Sequence, residues 1–191
     1  MSLRLGVLAS GRGSNFEALH EHCAAGTLDA SIALLISDRP KAKALERAEA
    51  LGIPCQHIAY DKADRSAFEQ QAAEAFRAAD CDLIVLAGFM RILTPGFIAQ
   101  FEGRILNIHP SLLPAFKGLH PQRQALEAGV KFSGCTVHRV TPDLDDGPIL
   151  AQAVVPVNPE DTEETLSARI LEQEHRIYAE ALQQLAGKYS S

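Results

Sequence analysis

The sequence holds no run of about 20 apolar residues, no CxxC pair, no basic excess and no low-complexity tract. Each absence excludes something. Without a long apolar run there is no membrane-spanning helix to propose. The apolar stretch after Arg4, residues 5–9, is too short for a signal peptide core and runs straight into glycines. Cys23, Cys55, Cys81 and Cys135 lie far apart, and no histidine sits at zinc-finger spacing from two of them. A reduced, cytoplasmic protein without a metal is expected. The formal net charge of -6 and pI of about 5.6 exclude an overall basic footprint for nucleic acid. Neither an internal repeat nor a flexible linker interrupts the 191 residues, so a single domain is expected.

What is present is alternation. Residues 3–9, 32–36, 54–58, 83–86 and 105–108 are short apolar runs that fit buried strands. Between the first four lie helix-forming stretches at 15–25, 41–51 and 66–79, the second stopped by Gly52. This spacing predicts an α/β fold, a Rossmann-like, mainly parallel sheet with helices on both faces. Residues 121–128 start with proline and stop at Gly129, as a short helix does, with His120 placed to cap it. Residues 132–140 and 149–157 alternate more loosely and pair as strands around the loop 141–148. Asp161 and Glu164 have capping-box spacing ahead of a long amphipathic helix.

Three segments carry chemistry. Ser10-Gly11-Arg12-Gly13-Ser14-Asn15 joins the first strand to the first helix. Its glycines let backbone approach a ligand, and a helix start offers free N–H donors, which suits a phosphate. Phe16 stands where a dinucleotide fingerprint needs glycine, although Asp38 is placed like a ribose-binding acid. A tight capped turn with no ligand is the third reading, and all three stand at this point. Asn107 and His109 end the fifth strand, at alternating spacing that faces them to one side. An amide donates to a developing oxyanion, an imidazole donates or shuttles a proton, and Pro110 and Pro114 restrain the exit. A satisfied histidine at a strand edge is the bland alternative. Thr141-Pro142-Asp143-Leu144-Asp145-Asp146-Gly147-Pro148 offers three carboxylates. One of them beside an imidazole would orient it and raise its basicity. A solvated acidic turn explains the same run, while the calcium-loop pattern is incomplete. His138 reads equally as structural or as part of a site.

The segments Gly88-Phe89-Met90-Arg91-Ile92-Leu93, Asn107-Ile108-His109-Pro110-Ser111-Leu112-Leu113-Pro114 and Leu144-Asp145-Asp146-Gly147-Pro148 together resemble the phosphoribosylglycinamide formyltransferase family. The resemblance runs from Ser10 to His175. It implies an enzyme that passes the formyl group of 10-formyltetrahydrofolate to the glycyl amine of glycinamide ribonucleotide in purine synthesis; neither a metal nor a covalent enzyme intermediate is expected. By the same resemblance, Asn107, His109 and Asp145 match catalytic residues. Gly13, Ser14 and Asn15 match the substrate phosphate cradle, and Glu174 a carboxylate that helps hold the ribonucleotide. Met90, Arg91, Ile92 and Leu93 match the folate side, with Asn107 and the loop Thr141, Pro142, Asp143, Leu144 and Asp145. The N-terminal half, about 1–100, would hold the ribonucleotide phosphate. The C-terminal half, about 101–191, would carry catalysis and folate binding.

Asp146 departs from the glycine common in bacterial relatives. Related enzymes occur as monomers and as homodimers. Formyltetrahydrofolate deformylase, which gives the formyl group to water, is the nearest alternative. It usually carries an N-terminal regulatory domain not seen in this sequence. Methionyl-transfer-RNA formyltransferase usually has an added RNA-binding domain. A non-catalytic folate- or nucleotide-binding module is the alternative of another class.

Overall fold

The structure is a computed structural model describing residues 2–189. The apolar run at the N-terminus is β1 (Leu3–Ala9), and the elements then follow in the expected alternation. They are α1 (Ser14–Ala24), β2 (Ala30–Ser37), α2 (Lys43–Ala50), β3 (Cys55–His57), α3 (Arg65–Ala78), β4 (Leu83–Leu86), α4 (Pro95–Gln100) and β5 (Ile105–His109). After them come α5 (Pro121–Glu127), β6 (Phe132–Arg139), β7 (Ile149–Pro156) and α6 (Glu163–Tyr189).

The strands form one seven-stranded sheet in the order β3-β2-β1-β4-β5-β6-β7. Pairs from β3 through β5 are parallel. The pairs β5–β6 and β6–β7 are antiparallel. The mainly parallel α/β sheet is thus as expected, with helices on both faces. Phe16, Leu19, Ala44, Ala48, Ile170 and Tyr178 cover the side of Val7, Leu106 and Ile108. Phe68, Phe76, Phe97 and Ile98 cover the side of Leu8, Ile84 and Ile105. The pleat therefore sends Asn107 and His109 to the side of Ile105, away from α6. On the opposite side the buried Tyr178 hydroxyl shares its proton between the carbonyls of Leu86 and Leu106, at 3.1 and 3.0 Å. That bond ties the ends of β4 and β5 to α6.

Three local expectations need correction. The short helix α4 was not foreseen: six residues are too few to display a helical period. Its start is nevertheless well marked, by Thr94 accepting the Phe97 N–H and by Pro95 in the first turn. The capping box of α6 lies one residue later than Asp161 and Glu164. Thr162 and Thr165 exchange backbone-to-hydroxyl bonds of 3.0 and 3.2 Å, while Asp161 is drawn into an ion pair with Arg169. His120 makes no side-chain cap on α5; its imidazole lies 3.7 Å from Glu163 instead.

Past β5 the chain is held by more than its prolines. The buried Thr136 hydroxyl donates to the Ser111 carbonyl at 2.7 Å and accepts the Leu113 N–H at 3.0 Å. Gln152 donates to both Thr136 and the Leu113 carbonyl, and Ser111 closes onto the Ala115 carbonyl. Thr136→Val removes the hub without changing its shape and strands a carbonyl and an N–H away from water. A loss of about 2 kcal/mol in urea unfolding is expected; an unchanged midpoint would show that this knot does not hold the segment.

Candidate active site

The glycine turn sits at the carboxyl end of β1, where ligands gather in open α/β sheets. Gly13 precedes α1 with a φ of 74°, in the left-handed region, and a Cβ there would lie 2.8 Å from the Cβ of Ala44. Only glycine meets both demands. No side chain caps the helix start, so the first-turn N–H groups at Ser14 and Asn15 are left to an anion. Asn15 is buried, with its amide donating to Glu174 at 2.8 Å and its own carbonyl oxygen lacking a partner. An unpartnered acceptor beside a buried carboxyl suits a ligand bearing hydroxyl donors.

Glu174 belongs to α6, far away in sequence. Burial raises its pKa, and the Asn15 bond offsets this only in part. A carboxyl whose folded pKa exceeds its unfolded one favours folding while it is protonated. Its contribution is whole below the unfolded value of about 4.3. It is lost as pH climbs through the raised folded value. Glu174→Gln should therefore melt at a higher temperature than the parent at pH 8, and the gap should close near pH 4. Calorimetry across that range checks this, and a variant less stable at pH 8 would reverse the sign.

Asp38 is not free for a ribose, as the dinucleotide reading required. Its side chain is fully buried and paired with Arg91 at 2.7 Å, and Arg91 lies over the Tyr60 ring at 4.5 Å. The pair anchors the loop after β4. The Ser10 hydroxyl also accepts the Met90 N–H at 2.9 Å, tying that loop to the glycine turn. Met90 and Ile92 are left 64 % and 61 % exposed, whereas Leu93 is part of the core.

At the end of β5 the register matters most. Asn107 stands directly opposite His138 on β6, and His109 opposite Thr136. The loop after β6 returns Asp145 between the two imidazoles. Its carboxylate oxygens lie 3.5 Å from His109 Nδ1 and 3.8 Å from His138 Nε2. Gly147 makes that return feasible, since a Cβ there would fall 1.8 Å from the Arg139 carbonyl oxygen. Asp145 adopts a left-handed φ of 49° and accepts the Gly118 N–H at 2.9 Å. The three carboxylates of this loop thus have separate fates. Asp145 is nearly buried, Asp146 pairs with Lys117, and Asp143 is exposed beside Leu144. Thr141 bonds back to the Asp143 carbonyl at 3.4 Å, and Pro142 is exposed between them.

His109 Nε2–H donates to the Phe116 carbonyl at 2.9 Å, so both ring nitrogens face partners. His138, which the sequence left undecided, is 2 % exposed and joins the cluster through Asn107 at 3.2 Å. Its signal lay in strand pairing, not in any local motif. The thiols lie outside this chemistry: burial pushes Cys23 and Cys81 up to about 11, and Cys135 up to about 12. Among the described residues no group of three or more His, Cys, Asp or Glu is arranged to hold a metal ion, and no helix is long and apolar enough to cross a membrane.

The chain is similar to known proteins over nearly its whole length. The family model described as formyl transferase matches residues 3–182. Phosphoribosylglycinamide formyltransferase of Bacillus subtilis is 44 % identical over 187 residues, covering 96 % of this chain and 95 % of that protein. The trifunctional purine biosynthetic protein adenosine-3 of Drosophila melanogaster is 46 % identical over 185 residues, covering 95 % of this chain; the chain spans only 14 % of that longer protein. Among solved structures, glycinamide ribonucleotide transformylase 1 of Symbiobacterium toebii superposes with a TM-score of 0.94 at 49 % identity, covering 98 % of this chain and 89 % of that one.

Proposed function

The chain belongs to the formyl transferase family, and from that premise we propose that it is a phosphoribosylglycinamide formyltransferase. It transfers the formyl group of 10-formyltetrahydrofolate to the glycyl amine of glycinamide ribonucleotide, in de novo purine synthesis. The products are formylglycinamide ribonucleotide and tetrahydrofolate. The observation that carries the residue assignment is the return of Asp145 to within 3.5 Å of His109, beside Asn107 at the end of β5.

The donor set fits both ligands. The uncapped start of α1, with Gly13, Ser14 and Asn15, takes the substrate phosphate, and Glu174 takes ribose hydroxyls. Met90, Arg91, Ile92 and Leu93 follow β4, and the segment from Thr141 to Asp145 follows β6. β4 runs parallel to β5, so its loop leaves at the His109 end; β6 runs antiparallel, so its loop starts at the Ile105 end and reaches the site through the return of Asp145. The exposed apolar groups of the two loops, Met90, Ile92 and Leu144, suit the flat ring system of a folate. The N-terminal half then supplies the phosphate site and the C-terminal half the catalytic residues. Glu174 and the β4 loop each cross that division.

10-Formyltetrahydrofolate supplies the formyl carbon. The neutral glycyl amine forms the new C–N bond as the carbonyl oxygen becomes negative. Asn107 donates an N–H to that oxygen, and His109 donates a second proton bond once its Nε2–H leaves the Phe116 carbonyl. The attacking nitrogen must lose a proton, and the folate nitrogen must gain one for its bond to the formyl carbon to break. Asp145 holds His109 in orientation and assists that transfer, directly or through water.

Purified protein incubated with 10-formyltetrahydrofolate should release tetrahydrofolate only when glycinamide ribonucleotide is present. Equal release of tetrahydrofolate and formate without the ribonucleotide would replace this reading with a deformylase. Absence of turnover alongside folate binding would leave a binding module. Glu174→Gln should also raise the KM for the ribonucleotide while leaving that for the folate near the parent value.

A further inference from the structure

We propose that His138 is a positioning residue that fixes which way the Asn107 amide points, keeping its remaining N–H available to the formyl oxygen. The proposal rests on the formyl-transfer reading and adds a residue to it.

An asparagine amide has two faces of opposite polarity and nearly equal shape. Turned one way it donates; turned over, it presents an oxygen to the developing oxyanion and repels it. Something must therefore choose the orientation. The carbonyl of Arg139 lies 3.0 Å from His138 Nδ1. A carbonyl only accepts, so Nδ1 carries the proton. The ring is 2 % exposed, and burial, the main cause, lowers its pKa despite the nearby Asp145 charge. A neutral ring protonated at Nδ1 leaves a bare lone pair on Nε2. That lone pair faces the Asn107 amide nitrogen at 3.2 Å. Turned over, the amide would set oxygen against lone pair.

The contact between the two side chains is held by backbone that does not move easily. Asn107 and His138 are cross-strand partners in an antiparallel pair, so their side chains share one face and one level. The tautomer is set by a main-chain carbonyl of the same strand. Asp145 Oδ1, 3.8 Å from Nε2, accepts only and cannot replace Asn107 as donor to that lone pair.

The test is a double-mutant cycle read by single-turnover formyl transfer with both ligands saturating. His138→Ala should slow the step by about 10²-fold. Both KM values should stay within about threefold, since positioning costs rate and not ground-state binding. In an Asn107→Ala background the same change should cost less than about threefold, because no amide remains to orient. His138→Gln, whose side-chain oxygen can accept at the Nε2 position, should recover most of the rate. Equal costs of His138→Ala in the two backgrounds would overturn the proposal, as would a near-parental rate. Histidine 15N NMR of the parent gives a readout independent of activity, and also covers the case in which His138→Ala fails to fold. His138 should show protonated Nδ1 and bare Nε2; the reverse tautomer would overturn the proposal even if formyl transfer proceeds. Conversely, a parent that shows the expected tautomer but transfers no formyl group would defeat the functional reading alone.

Discussion

Asn107→Ala should slow formyl transfer by about 10²- to 10³-fold under single-turnover conditions, the loss typical of one oxyanion donor. The site gives no ready substitute. His138 has only a lone pair to offer in this direction, and His109 Nε2–H is shared with the Phe116 carbonyl until the oxyanion develops. Truncation also opens a space beside His138 that water can fill, and a mobile water is a poorer donor than an amide fixed in advance. Ligand affinities should change little, because the charge that Asn107 meets exists only as the tetrahedral centre forms. Rapid-quench measurement with both ligands bound decides this; a chemical step within a few fold of the parent would remove Asn107 from the assignment.

Asp145→Asn should cost more, about 10³-fold, within the range of lost acid–base assistance. The substitution preserves shape. The new side chain can still accept the Gly118 N–H through its oxygen, so the loop keeps its anchor. What disappears is the negative charge facing His109 Nδ1 at 3.5 Å and His138 Nε2 at 3.8 Å. With its oxygen kept on the Gly118 N–H, that same oxygen faces His109 Nδ1 without a negative charge, so the ring loses the group that assists its proton transfer. The rate loss should therefore appear in kcat, with the fold intact by circular dichroism and thermal melting. Parental single-turnover rates would show that the carboxylate is a structural loop group and that the proton travels by another path.

Lys117 and Asp146 join the two loops that meet at His109. The pair is exposed, and exposed pairs contribute about 0–1 kcal/mol. The Phe116 carbonyl itself accepts the His109 Nε2–H at 2.9 Å.

Much of the fold was legible because buried parallel strands are written as uninterrupted apolar runs. β1 and β4 span their expected residues, whereas β2 extends past 32–36 at both ends and β5 runs one residue beyond 108, to His109. The long α6 was legible from its apolar stripe. Local competition spoiled finer points. Thr162 and Thr165 won the cap of α6 because Asp161 had a better partner in Arg169. His120 could not cap α5 from a left-handed backbone with φ of 56°. Asp38 had the position of a ribose ligand, yet its charge is consumed by Arg91.

The sequence by itself determined the alternation of strand and helix, the glycine turn, and the two polar residues that end β5. These follow from periodicity and backbone sterics, which act over a few residues. Tertiary structure alone decided that Glu174 meets Asn15, that His138 faces Asn107, and that Asp145 stands between two imidazoles. The first is a contact across 159 residues, and the second depends on the register of one antiparallel pair. No local pattern encodes such distances. They arise when burial of the two apolar faces fixes the sheet order, and the sheet order then brings the loops together.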